Sequence, residues 1–149
     1  MDFHLDTLLN LPNVVADSYA STLDAIVVKL QLVNAGINCP NCSKYISQVH
    51  QTRSVLVRDL SIFGQVVYLK VPRRQFYCST CKKSPTEPLL WVNRKQRQTN
   101  RYQEYIYERV KELTVKQVSG NEKMSEDAVQ DIFHKVASSK KKAGGILND

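Results

Sequence analysis

Four cysteines stand in the chain as two identically spaced pairs, Cys39-Pro40-Asn41-Cys42 and Cys78-Ser79-Thr80-Cys81. A C-x-x-C turn lets two thiolates meet one ion, and two such turns complete a tetrahedral sulfur shell for zinc. The 35 residues between the pairs exceed the common zinc-finger spacing. The gap is tolerable if strands fill it and return the chain, and residues 46–71 have that pattern. Four thiolates close the shell and leave no position for substrate, so the zinc expected here is structural. In a small β-region with little core, such an ion supplies folding energy. Two disulfides would instead need an oxidising compartment. A thioredoxin-like redox motif needs a C-x-x-C that opens a helix in a βαβ setting, which neither pair has. His50 could substitute as a ligand, but four cysteines suffice, and a surface or packing role is expected for it. His4 and His134 carry no signal.

Basic and aromatic residues surround the second pair. Arg73-Arg74-Gln75-Phe76-Tyr77 lead into Cys78, and Lys82-Lys83 leave Cys81. The rings are expected to pack near the metal, and the cations to face phosphates. Net charge points the same way: residues 1–37 carry −3, residues 38–101 carry +10, and residues 102–149 balance, for a total of +7. A positive field confined to one segment suits a polyanion such as DNA. Arg73, Arg74, Lys82, Lys83, Arg94, Lys95 and Arg97 are the candidates for backbone contact. No basic amphipathic helix accompanies the charge and no apolar run nears the roughly 18 residues of a span, so no membrane partner is expected. A length of 149 residues, 42% of them hydrophobic, allows one ordinary domain or two very small ones and excludes a large enzyme. The opening Met1-Asp2-Phe3-His4-Leu5-Asp6 has two acids and no Lys or Arg, unlike a secretory signal, so an intracellular protein is expected.

The elements that must position these residues give an α+β reading. A short helix spans about residues 3–11, and strands at 14–20 and 25–33 form a hairpin. Short strands follow at 46–51 and 55–60, then a Phe63-Gly64 turn and a stronger strand at 65–71. Pro72 marks an edge or a break before residues 73–78. The polar, basic run from Arg94 to Arg101 is the boundary. Beyond it the period becomes helical, with Tyr102, Ile106, Val110 and Leu113 as one stripe. Thr114 and Gln117 fit a capping box opening a short helix that Ser119-Gly120-Asn121 ends. Ser125 caps a last helix, with Val129, Ile132, Phe133 and Val136 inward and Glu126, Asp127, Gln130, His134 and Lys135 outward. The organisation is therefore a short helix and first strand (1–23), a β-rich four-cysteine zinc-binding domain (24–92), a basic linker with a three-helix helix-turn-helix unit (93–139), and a flexible tail (140–149). In a helix-turn-helix, Gln130 and Lys135 are suitable groove readers, while Glu126 and Asp127 repel phosphates.

The order of these pieces resembles a known family. Leu8-Leu9-Asn10-Leu11-Pro12 before a strand, Cys39-Pro40-x-Cys42, Val57-Arg58-Asp59-Leu60-Ser61-Ile62-Phe63-Gly64, Arg73-Arg74-Gln75-Phe76-Tyr77-Cys78-x-x-Cys81 and a helix-turn-helix are similar to the N-terminal part of the ISL-three family of bacterial insertion-sequence transposases. The similarity covers about residues 5–138. It implies a zinc-binding β-domain and a helix-turn-helix that recognise the element's terminal inverted repeats, ahead of a longer catalytic domain with an acidic metal-binding triad. This chain has no room for such a domain, so a non-catalytic DNA-binding protein is expected, truncated or stand-alone, at the nucleoid in the bacterial cytoplasm. Ser43 departs from the glycine that often follows the first knuckle, and Pro72 interrupts the usual strand. A second reading is a zinc-stabilised interaction module that partners or inhibits a full-length transposase, or associates with itself. A thiol-redox enzyme is the third.

Overall fold

Alternation of Val67, Leu69 and Val71 with Tyr68 and Lys70 puts three β-branched or aliphatic side chains on one face, and all three are fully buried. They belong to one of the two inner strands of a four-stranded sheet. The computed structural model describes residues 3–147, with side chains from 5 to 143. Its elements are α1 (Phe3–Leu9), β1 (Val14–Ser21), β2 (Ala25–Leu32), β3 (Ile37–Asn38), β4 (Tyr45–Ile46), β5 (Val49–Ile62), β6 (Gln65–Phe76), α2 (Asn100–Glu112), α3 (Val115–Glu122) and α4 (Glu126–Leu147). The fold is mixed α+β, and the chain divides into two compact units, residues 1–97 and 98–149.

In the first unit the strand order is β1-β2-β6-β5, with a separate two-stranded β3-β4 sheet. The expected hairpin of β1 and β2 is present, so the strand of the 1–23 segment shares a sheet with the residues that follow it. β2 runs parallel to β6, and β5 runs antiparallel to it. One side of this sheet forms a core of Val28, Leu30, Val57, Val67, Leu69 and Val71, closed by Leu9 of α1 and by Trp91 and Val92. The Asp6 carboxylate accepts a hydrogen bond from the Ala16 N–H and ties α1 to β1.

Two strand expectations are corrected. The expected strands at 46–51 and 55–60 are divided differently: Ile46 falls in β4, while residues 49–60 lie in β5, continuous over 14 residues because its irregularities are absorbed as register shifts at Val49/Gln51 and Asp59/Ile62. Pro72 breaks nothing. It lies inside β6 opposite Ser54. β2 pairs with β6 only as far as Lys70, while Glu87 N–H donates to Arg74 O and Phe76 N–H to Pro85 O farther along the same edge. Residues 72, 74 and 76 share that edge by alternation. The donor that proline lacks would have pointed into the gap between the two covering segments. The Phe63-Gly64 turn is as expected, with φ of +49° and +78° suiting a tight hairpin.

The second unit holds α2, α3 and α4. Thr99 caps α2, its hydroxyl accepting from Tyr102 N–H, and Tyr102 and Ile106 are buried on the expected stripe. The Thr114/Gln117 capping box opens α3 with both reciprocal bonds made. Gly120 does not end that helix. It is exposed within α3, which stops instead at Lys123 in the left-handed region, φ +56°. Ser125 caps α4 by accepting from Ala128 N–H. Val129 and Ile132 are buried, and Phe133 and Val136 are half-buried. α4 continues to Leu147, so residues 140–147 of the segment read as a tail are helical. Lys140 bonds Glu104 of α2 at 2.7 Å, and Tyr107 stacks on Phe133 at 5.0 Å. Residues 148–149 of that segment lie outside the described residues. No helix among the described residues is long and apolar enough to cross a membrane.

Candidate metal centre and nucleic-acid interface

Each cysteine pair sits in the same backbone loop. Cys39 N–H donates to Lys44 O (2.8 Å) and Ser43 N–H returns to Cys39 O (2.8 Å). In the second loop Cys78 N–H donates to Lys83 O (2.9 Å) and Lys82 N–H to Cys78 O (2.7 Å). Closing this loop requires a left-handed residue after the second cysteine, met by Ser43 at φ +65° and Lys82 at φ +56°. A glycine would adopt that conformation at less cost, which accounts for the preference from which Ser43 departs. β3 and β4 bring the first loop back, and β6 delivers the second.

The four Sγ atoms all lie within 4.8 Å of one another, at 3.8 Å for Cys39 to Cys81 and 3.6 Å for Cys42 to Cys78. Four sulfurs about 2.3 Å from a zinc ion stand roughly 3.8 Å apart at the tetrahedron's edges. A disulfide needs about 2.05 Å. The donor set therefore fits a tetrahedral thiolate site. Backbone N–H groups of Cys42 and Asn41 bring the Cys39 thiol down to about 7. Hydrogen bonding to Cys42, then burial, pushes Cys81 up to about 12. Cys39 and Cys78 are buried with Ile46 and Phe76, so Phe76 packs at the site as expected. His50 is exposed and outside the sulfur cluster.

The expected cations fall into different situations. Lys82 and Lys83 are exposed at the second loop, and Arg94, Lys95 and Arg97 are exposed in the segment after Trp91. Arg74 is otherwise committed. Its Nε and Nη2 each donate to Glu87 at 2.8 Å, and Nη2 also reaches Asn34 O at 2.8 Å. Its guanidinium lies 5.0 Å from the Phe76 ring centre, so its forked face is spent within the protein. Arg73 is half-buried, and its pKa is lowered by burial, then by Arg53 and Arg94, against an opposing pull from Glu87. The fold gathers Arg73, Lys95 and Arg97 at one concavity with Arg53, and Arg73, Arg94 and Lys95 at a neighbouring one. Arg53 escaped the sequence reading, because only the strand register, Arg53 opposite Arg73, reveals it. On α4, Gln130 and Lys135 are exposed, as are Glu126 and Asp127 in its first turn.

A basic β-unit with four sulfurs at tetrahedral spacing, followed along the chain by a unit of capped helices, is the combination that defines the class. Residues 35–81 match the zinc-finger of transposase IS204/IS1001/IS1096/IS1165, and residues 87–137 match the helix-turn-helix domain of transposase family ISL3. Together these matches cover well over half the chain, which belongs to the ISL3 transposase family and carries its zinc-finger and helix-turn-helix region. The transposase for insertion sequence element IS1001 of Bordetella parapertussis is 44% identical over 63 residues, covering 42% of this chain. That stretch is 16% of the length of the Bordetella protein. No solved structure matches.

Proposed function

We propose that the chain is the DNA-binding, non-catalytic part of a transposase, recognising the terminal inverted repeats of its element. The observation that carries this reading is the succession, in one chain, of a sulfur cluster of tetrahedral dimensions and a helical unit, each matching the same transposase family. Cys39, Cys42, Cys78 and Cys81 would hold zinc, which supplies a crosslink between two distant loops and no reactive position. Lys82, Lys83, Arg94, Lys95 and Arg97, exposed on the first unit, contact backbone phosphates. Gln130 and Lys135 on α4 reach base edges in the major groove.

The test is fluorescence anisotropy with duplexes of the parent element's terminal repeats and scrambled controls. Binding is expected to weaken with rising salt, to favour the repeat, and to drop when a chelator removes the ion. Equal affinity for scrambled duplex removes the sequence-specific part, and no binding at low salt removes the reading. One observation favours a second reading. The exposed Glu126 and Asp127 at the start of α4 oppose phosphates, which suits an interaction module that partners or inhibits a full-length transposase, or pairs with itself. Co-purification with a longer transposase and no DNA retention would support that alternative.

A further inference from the structure

We infer that the β5–β6 ribbon carries a built phosphate site, in which Arg53 and Arg73 grip one oxyanion beneath the 92–97 segment and Arg94 and Lys95 complete its rim. The inference deepens the DNA-binding reading and rests on it for the source of the phosphate, a duplex backbone.

Register is the first argument. Arg53 and Arg73 are directly opposed in the antiparallel β5–β6 pair. Like charges so placed repel, and nothing in strand formation calls for them. Both arginines lie on the apolar side of the ribbon: by alternation Arg73 follows Val67, Leu69 and Val71, and Arg53 precedes Val55 and Val57. The 92–97 segment crosses this face, anchored where Arg58 N–H donates to Arg97 O at 2.8 Å. The result is a half-buried Arg73 set directly against an exposed Arg53.

The second argument is an unmet donor. Arg73 Nη1 is buried and has no hydrogen-bond partner. An unmet buried donor is costly, and natural folds seldom leave one without a reason. Arg74, one residue on, shows the alternative, its fork filled by Glu87. A cavity of about 200 Å³ lies against Arg73 and Arg53, with Arg94 and Lys95 on its wall. Gln75 and Thr86 add neutral donors, and no carboxylate lines it among the described residues. Glu87, the acid that acts on Arg73, is the one already held by Arg74. An acceptor with several oxygens and negative charge in this cavity would answer the opposed pair, and a turn of the Arg73 guanidinium would bring its orphan donor to it; guanidiniums match phosphate in this way. Burial and the charges of Arg53 and Arg94 already disfavour the Arg73 cation, so an arriving anion relieves a strain present in the free protein.

The experiment uses the full, metal-loaded chain. Inorganic phosphate is titrated against chloride at matched ionic strength, with the arginine Nε–H NMR signals and the thermal midpoint as readouts. Phosphate is expected to shift the Arg73 signal and raise the midpoint. Arg53→Gln should raise the midpoint in chloride, by removing repulsion, yet abolish the phosphate response. Arg73→Lys, which keeps the charge but loses the fork, should also lose the response. In duplex binding, each variant should weaken affinity several-fold, and Arg53→Gln should make the log–log salt slope shallower by about one. Variants equal to the wild type in both affinity and slope overturn the site and leave the DNA reading intact. If the wild type binds no duplex, that reading falls and the phosphate titration alone decides. A response lost in Arg53→Gln then identifies a free-phosphate site, and no response, or one shared by all variants, overturns it.

Discussion

Gly36 sits just ahead of β3, where a Cβ would come within 2.3 Å of the Ile46 carbonyl oxygen and 2.8 Å of the Tyr45 ring. The oxygen belongs to the backbone that closes the first cysteine loop, so it cannot move aside cheaply. Gly36→Ala should therefore part β3 from β4 and cost about 1–3 kcal/mol. Metal titration followed by thermal melting checks this, with weaker metal retention expected. Cys39, Cys42, Cys78 and Cys81 were readable from spacing alone, because a thiolate pair on one turn is a local pattern. Gly36 and Arg53 were not, since each acquires its meaning from a strand many residues away. Arg74 misled for the same reason: the sequence displays its charge and not the Glu87 that occupies it.

The helix starts were readable. Thr114 and Gln117 find each other within one turn, and Ser125 reaches Ala128 N–H, so their geometry is set by neighbours in the chain. The ends were harder. Ser119-Gly120-Asn121 has the composition of a stop, yet α3 runs past Gly120, and a Cβ there would meet nothing within 4 Å. Gly120→Ala should thus stabilise α3 by about 0.5–1 kcal/mol, seen as a higher midpoint when helix signal is followed by circular dichroism. An unchanged or lower midpoint would refute that view of the position. α4 overruns its expected end because Lys140 meets Glu104 and lies over the Tyr107 ring, contacts made across to α2 that periodicity does not encode. The continuity of β5 is hidden from the sequence for a similar reason, its register shifts being decided by β6.

At the scale of the whole molecule, the α+β character and the order of ribbon before helices followed from the change in hydrophobic period near Arg94. What the sequence obscured is that the β-unit has two cores. One is the sheet core around Val67, Leu69 and Val71; the other is the small cluster of Cys39, Cys78, Ile46 and Phe76. The expectation that the β-region has little core of its own is corrected accordingly. Chelation should release the cysteine loops and spare the sheet. By hydrogen exchange, amides near 39–46 and 78–83 should lose protection by tenfold or more, while those of β2 and central β6 keep theirs. Concerted loss across all of them would mean the ion supports the entire unit. The placement of Pro72 bears on what lies alongside β6. Neighbours flank that margin on both sides of the ring, and the short interval between them lacks an N–H at its middle, so no donor is stranded where the covering segments part company.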